Sequence, residues 1–198
     1  MKTAIFGGTF DPIHTAHLTI AREAAQQFAL DRVLFVPAAH PPHKPNAVLA
    51  GYEDRYRMVE LACRDDPRFI PSRLEEANRK SYSILTIEHL RQSLVPDDEL
   101  FFIIGADAFA EITTWHRWED VAREVEFIVV TRPGHIYHTP PGVRVRRLET
   151  VALPVSSSEI RHKLASGEPC AELPPAVLDY IRRHNLYQIK RSASPSAG

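Results

Sequence analysis

Cysteine is nearly absent. Only Cys63 and Cys170 occur among 198 residues. They lie far apart and form no CxxC pair, so neither a disulfide framework nor a cysteine-built zinc site is expected, and a reducing compartment fits. Glycine is scarce as well, eight residues against sixteen prolines. Both punctuate the chain without forming a low-complexity tract, and there is no internal repeat. No run of about 18 apolar residues exists, which argues against a transmembrane helix. At the N-terminus Lys2 is followed by only Thr3-Ala4-Ile5-Phe6 before Gly7-Gly8 breaks the run, a pattern unlike a signal peptide. The expected location is the cytoplasm. Charge of one sign is missing too: 24 Lys and Arg face 25 Asp and Glu, a formal net charge of -1. That balance gives no electrostatic basis for a nucleic-acid-coating surface or a polybasic membrane anchor, yet leaves room for a local basic pocket for a small anion.

The chain is 44% hydrophobic and 25% charged, the balance of a soluble globular protein rather than a disordered chain or a coiled-coil rod. Its length suits one domain with a core that needs no staples. Short apolar runs at Thr3–Phe6, Arg32–Pro37, Glu99–Ile104 and Glu126–Thr131 read as buried strands, with Phe69–Ser72 and Val143–Leu148 as weaker candidates. Between them lie helical patterns at His17–Leu30, Tyr52–Arg64, Ser83–Leu94, Ser157–Ser166 and Pro174–His184. Strand then helix, repeated, predicts an α/β fold: a doubly wound parallel sheet with helices on both faces and a small helical C-terminal part. Lys190–Gly198 reads as a disordered tail. Sheets of this kind bind ligands at the carboxyl ends of their strands, which directs attention to the loops after Phe6, Pro37, Ile104 and Leu153.

The first of these loops, Gly7-Gly8-Thr9-Phe10-Asp11-Pro12-Ile13-His14-Thr15-Ala16-His17, is neither GxGxxG nor GxxxxGK[ST]. It still has the parts of an anion site. Glycines let backbone N–H groups approach a ligand. A helix expected to begin near His17 brings a positive dipole end, and two histidines three apart share one face of it. The plain alternative is a turn with two polar histidines capping a helix. A zinc site built from His14, His17, His40 and His43 is a further reading, without cysteine or a nearby carboxylate to complete it.

GGTFDPIHTAH resembles the signature of the HxGH nucleotidyltransferase superfamily. From near Met1 to about Tyr187 the chain is similar to the bacterial nicotinate-nucleotide adenylyltransferases, through Pro41-Pro42-His43-Lys44, Ser81-Tyr82-Ser83, Ile104-Gly105-Ala106-Asp107, Trp115-His116, Arg132-Pro133-Gly134 and Ser156-Ser157-Ser158-Glu159-Ile160-Arg161. The resemblance implies a Rossmann-like nucleotidyltransferase domain over residues 1–189, with helices at about 157–187 as its appendage. It also implies a reaction of ATP with nicotinate mononucleotide to deamido-NAD and pyrophosphate, with magnesium. Three positions depart from the family pattern: Ala16 stands where glycine is usual, and Ser83 and Ser158 where threonine is usual. None removes a charged group.

Adenylyl transfer suits such an inventory. The attacking phosphate monoester has a second pKa of about 6, so it needs no general base. The difficulty is bringing two anions together, which calls for positioning and for cations and N–H donors around the α-phosphate. The resemblance implies that His14, His17, Lys44 and Arg161 are these groups, with His17 nearest the α-phosphate. It places Gly7, Gly8, Thr9, Phe10, Gly105, Asp107, Ser156, Ser157 and Ser158 on the ATP side. Thr9, Lys44, Ser83, Trp115, His116 and Arg132 fall on the mononucleotide side. A flat, cationic pyridinium ring would stack on Trp115, its carboxylate meeting Ser83 and N–H groups near His116. Simpler roles stand beside these: Asp107, Ser157 or Ser158 as helix N-caps, Lys44 as a solvated loop residue, Trp115 as a core residue beside Trp118. Three other functions remain: a phosphopantetheine adenylyltransferase, a non-catalytic nucleotide-binding module on the same fold, and a zinc hydrolase. Oligomeric state stays open.

Overall fold

In the computed structural model the described residues are 1–40, 49–76, 80–151 and 155–188. Lys44 with the rest of Pro41–Lys44, and the proposed tail from residue 190, lie outside them.

Six strands form one parallel sheet: β1 (Lys2–Gly8), β2 (Arg32–Pro37), β3 (Phe69–Pro71), β4 (Glu99–Gly105), β5 (Glu126–Thr131) and β6 (Val145–Glu149). Their order across the sheet is β3-β2-β1-β4-β5-β6. The chain winds outward from β1 in one direction, then crosses to β4 and winds out in the other. The reversal leaves a crevice at the carboxyl ends of β1 and β4.

Alternation along the strands builds two cores. Ala4, Phe6, Val33, Phe35, Phe101 and Ile103 face one layer. It is covered by α1 (Thr15–Gln27), α2 (Tyr52–Ala62), α6 (Ser157–Ser166) and α7 (Pro175–Arg183). Ile5, Leu34, Val36, Phe102, Ile104 and Phe127 face the other layer, covered by α3 (Ser83–Arg91), α4 (Ala106–Ala110) and α5 (Trp118–Glu124). Each fully buried Phe or Ile contributes roughly 1.5–3 kcal/mol, so both layers are needed. The alanines of α1, Ala21, Ala24 and Ala25, are buried, and their small side chains bring that helix close to the sheet.

The predicted doubly wound sheet is present, with local corrections. α1 starts two residues earlier than the pattern suggests and stops at Gln27. Ala29 is left-handed (φ 52°), and the Leu30 N–H returns to the Ala25 carbonyl at 3.0 Å. That is a Schellman ending built without the glycine that would have announced it. α4 and α5 were not predicted. Each is under two turns or little more, too short to show a 3.6-residue period. No helix joins β5 to β6; residues 132–144 cross over as irregular chain, with Tyr137 edge-on to Phe109 at 5.6 Å. Among the described residues no helix is long and apolar enough to cross a membrane.

Candidate active site

The loop between β1 and α1 is held by the rest of the chain. Gly8 is dictated by Phe10: a Cβ on residue 8 would sit 2.9 Å from the Phe10 ring. That ring is 2% exposed and meets Phe6 edge-on at 5.9 Å. Phe10 itself is left-handed (φ 48°), a strain of about 1–2 kcal/mol that its burial offsets. The Phe10 side chain is therefore turned into the core, and the residue can reach a nucleotide only through its backbone.

Beyond Phe10, loop carbonyls are taken by three donors from distant elements. Arg55 of α2, fully buried, donates from Nη1 to the Thr9 carbonyl at 2.7 Å and from Nε to the Ala50 carbonyl at 3.2 Å. Arg161 of α6 donates from Nη1 to the Asp11 carbonyl at 2.7 Å. Ser157 donates to the Pro12 carbonyl at 3.1 Å. The Asp11 carboxylate, 2% exposed, accepts the N–H groups of Leu49 (2.8 Å) and Ala50 (3.1 Å) and the Tyr187 hydroxyl (2.7 Å).

His14 is the N-cap of α1, and its ring lies 3.8 Å from that of His17, centroid to centroid. The His14 N–H donates to His17 Nδ1 at 3.2 Å. His14 is 4% exposed; burial drives its pKa down to about 4, with Glu172 pulling weakly the other way. Burial and the neighbouring His14 hold His17 well below the usual histidine range. The pair therefore offers neutral N–H donors in the free protein rather than the cations that the sequence suggested. His14 Nδ1 is buried without a partner among the described residues. The four-histidine zinc group does not assemble among them. His40 pairs through its backbone with Ser81, His43 lies outside, and no three His, Cys, Asp or Glu side chains stand together as a ligand set.

Two cavities open at the carboxyl ends of the central strands, one of them beside the loop. The first, about 290 Å³, fills the crevice between β1 and β4. Of the sequence candidates it gathers Gly7, Gly8, Thr9, Ser83, Gly105 and Trp115. Trp115 is half-buried and meets Phe102 edge-on at 5.8 Å. The second, about 360 Å³, lies over the ends of β4 and β5, lined by Gly105, Asp107, Arg132 and His135 among others. Gly105 borders both.

The structure also fixes the surroundings of the other candidates. Arg132, assigned to the mononucleotide, shares the second cavity with Asp107, because β5 rather than β1 carries it there. Asp107 is not an N-cap: Gly105 takes that position and Asp107 is in the first turn of α4. The cap of α6 is Ser156, whose Oγ accepts the Glu159 N–H at 3.2 Å while Glu159 returns to the Ser156 N–H. Ser157 and Ser158 are thereby released to hold the loop and Arg161, the latter at 3.2 Å. His116 is exposed and stacks on Tyr82 at 4.4 Å. Ala16 is buried in the first turn of α1.

Sequence reasoning missed Glu75 and Thr86, both buried in the wall of the first cavity, and the scaffold formed by Asp11, Arg55 and Tyr187. Only Asp11 carried a signal, its place inside the glycine loop.

A family model for cytidylyltransferase-like proteins matches residues 5–163. A probable nicotinate-nucleotide adenylyltransferase of Solibacter usitatus is 64% identical over 187 residues, covering 94% of this chain and all of that one. One from Thermus thermophilus is 43% identical over 190 residues, with 95% and 100% covered. Among solved structures, the nicotinic acid mononucleotide adenylyltransferase of Plasmodium falciparum complexed with NaAD superimposes with a TM-score of 0.76 at 20% identity, covering 94% of this chain and 97% of that one.

Proposed function

The chain belongs to the cytidylyltransferase-like family and, within it, to the nicotinate-nucleotide adenylyltransferases, and from that premise we propose how its residues carry the reaction. It transfers the adenylyl group of ATP to nicotinate mononucleotide, giving deamido-NAD and pyrophosphate, a step of NAD biosynthesis.

The observation that carries this reading is the pair of cavities meeting at Gly105, next to a loop and helix start rich in donors. The pyridine ring enters the first cavity and stacks on Trp115, its carboxylate toward Ser83 and the start of α3. Adenosine lies over β4 and β5, its ribose hydroxyls toward Asp107. The triphosphate runs between them, along Gly7–Thr9, the first turn of α1 and the start of α6. Arg161 and His14 face the phosphates there, and Lys44, on the segment after β2, is assigned to them by family.

The mononucleotide phosphate is largely a dianion at neutral pH and attacks the α-phosphorus in line, opposite the departing pyrophosphate. No side chain need remove a proton. With Nδ1 occupied by the His14 N–H, His17 presents Nε2–H, aimed at the charge that develops on the α-phosphoryl oxygens. Because Arg55, Arg161 and Asp11 fix the loop before substrate arrives, little reorganisation is left for the reacting complex.

Magnesium fits this site as a nucleotide-borne ion. Among the described residues there is no protein ligand set for it, whereas phosphate oxygens and water are its usual partners. Carried in with ATP, it would supply positive charge to the leaving pyrophosphate.

The test is incubation with Mg·ATP and, separately, nicotinate mononucleotide, nicotinamide mononucleotide and phosphopantetheine. Mass spectrometry should find deamido-NAD with stoichiometric pyrophosphate. Product from phosphopantetheine alone, or nucleotide binding with no product, overturns the reading.

A further inference from the structure

The two residues that follow Trp115 both reach across to α3. Trp115 lines the first cavity, and so do Ser83 and Thr86 from the N-terminal part of α3. His116 stacks on Tyr82, the N-cap of α3, with ring centroids 4.4 Å apart and planes 29° from parallel. Arg117 Nη1 meets Glu88 Oε1, further along the same helix, at 2.8 Å. None of these four side chains lines the cavity.

Arg117 has a left-handed backbone (φ 54°, ψ 44°) at the N-cap of α5. Glycine takes that conformation freely, whereas a long side chain takes it at a cost. Its side chain makes no cap hydrogen bond. Arg117 and Glu88 are each 44% exposed, and an ion pair so open to water stabilises little. Strain kept where it adds little stability points to placement as its use.

We propose that Tyr82, Glu88, His116 and Arg117 are positioning residues for the pyridine nucleotide: the stack and the ion pair fix Trp115 relative to Ser83 and the start of α3, so that the slot for the ring exists before the ligand arrives. This deepens the reading above that the cavity takes the ring, and rests on it.

Trp115 needs such support. It stands between a single 3₁₀ turn (Ile112–Thr114) and α5, two elements too short to be stable alone. Its ring is half-buried and meets Phe102 edge-on at 5.8 Å. Stacking and cation–π attraction require a ring held at contact distance. A ring free to swing must be ordered on binding, and that cost comes out of affinity. The two ties order the segment in the free protein. α5 is also tied to α3 by Arg91, whose Nε donates to the Glu124 carboxylate at 3.0 Å and whose Nη2 donates to the Glu124 carbonyl at 2.5 Å. The fold therefore does not hang on the two nearer ties, and their loss should be felt by the ligand more than by the melt.

Calorimetry on the full chain with nicotinate mononucleotide, beside KM for ATP and a thermal melt, tests this. Arg117→Gly relieves the left-handed strain and removes the tie to Glu88. It should melt within about two degrees of wild type and bind the mononucleotide about three- to tenfold more weakly. Its KM for ATP should stay within about twofold. Glu88→Gln should act alike, and the double variant should be no worse than Arg117→Gly, because both remove one pair. His116→Ala should weaken binding by a similar factor. His116→Phe should restore it, since phenylalanine keeps the stack on Tyr82 and offers a ligand no polar contact. Variants that bind like wild type, while Trp115→Ala is weakened, overturn the proposal and leave the ring reading intact. His116→Phe as weak as His116→Ala overturns the stack as a positioning contact. Equal weakening toward ATP with a lower melt makes the ties merely structural and overturns the proposal too. If Trp115→Ala binds the mononucleotide as wild type does, the ring reading falls and the proposal with it.

Discussion

The backbone N–H of His14 donates to Nδ1 of His17 at 3.2 Å, and that single bond decides which nitrogen of His17 is left free to donate. A neutral imidazole has one donor and one acceptor. With Nδ1 accepting, the proton sits on Nε2, on the first turn of a helix whose dipole already favours anions. His17→Ala should lower kcat by roughly 10²–10³, the usual loss when one donor to a developing oxyanion is removed, with a smaller change in KM for ATP. His17→Gln, which places an N–H near the Nε2 position, should recover part of the rate. An unchanged kcat for His17→Ala in steady-state assays would remove His17 from the transition state.

The stacked histidines also predict acid sensitivity. The His14 pKa is lowered by burial from 6.5 to about 4, so between those values the unfolded chain binds a proton that the folded chain refuses. The stabilisation is fully present above pH 6.5 and is lost as pH falls toward 4, a loss of about 3 kcal/mol for this residue; His17 adds to it with the same sign. Carboxylates held down by cations, Asp66 by Arg68 and Asp98 by the N-terminal amine, give up their share further down, below about pH 4. Urea midpoints at a series of pH values should therefore drop first between 6.5 and 4. His14→Gln should flatten that part of the curve while leaving the lower one. Equal slopes in both proteins would place the acid sensitivity elsewhere.

Those two residues were legible in the sequence because a local motif brings them together: three residues apart, after a glycine turn, they must share a helix face. The sheet was legible for the same reason, since strands such as Glu99–Gly105 and Glu126–Thr131 are continuous apolar runs. Glu75 was not, because its burial is set by Thr86 and by strands far away in the chain, and nothing local distinguishes it from Glu76. Arg55 looks like any charge on an amphipathic helix until the loop carbonyl it holds is seen. Phe10 looked like a ligand contact because it sits within the motif, yet its ring closes the core beneath the motif and fixes Gly8. Sequence order shows which groups are present; which cavity each enters depends on crossovers, as the placement of Arg132 with Asp107 shows.

Trp115 should act on one substrate only. Its ring is held edge-on by Phe102 at 5.8 Å in the cavity that excludes Asp107 and Arg132. A stacked, cationic pyridinium is worth about 0.5–2 kcal/mol beyond its area. Trp115→Ala should therefore raise KM for nicotinate mononucleotide about tenfold or more and leave KM for ATP within about twofold. Trp115→Phe should fall between. Equal weakening of both substrates would count against stacking at this residue.

Tyr187 should matter although it lines neither cavity described for the substrates; it borders a separate one with Ser158 and Arg161. α7 ends in a Schellman turn, with Asn185 left-handed (φ 52°) and the Leu186 N–H on the Ile181 carbonyl at 3.0 Å. That turn delivers the Tyr187 hydroxyl to the Asp11 carboxylate at 2.7 Å. The same carboxylate holds the N–H groups of Leu49 and Ala50, where the segment bearing Lys44 rejoins the described chain. One buried carboxylate thus joins the β1–α1 loop, the C-terminal turn and the end of that segment. Tyr187→Phe removes one charged hydrogen bond, costing about 1.5–3 kcal/mol, and leaves Asp11 with its two backbone donors. The protein should still fold, melting several degrees lower. Its kcat should fall more than its KM for either substrate, since the loop loses rigidity rather than a contact with ligand. A lower melting temperature with unchanged kcat would confine Tyr187 to stability and detach the C-terminal turn from the placement of the β1–α1 loop.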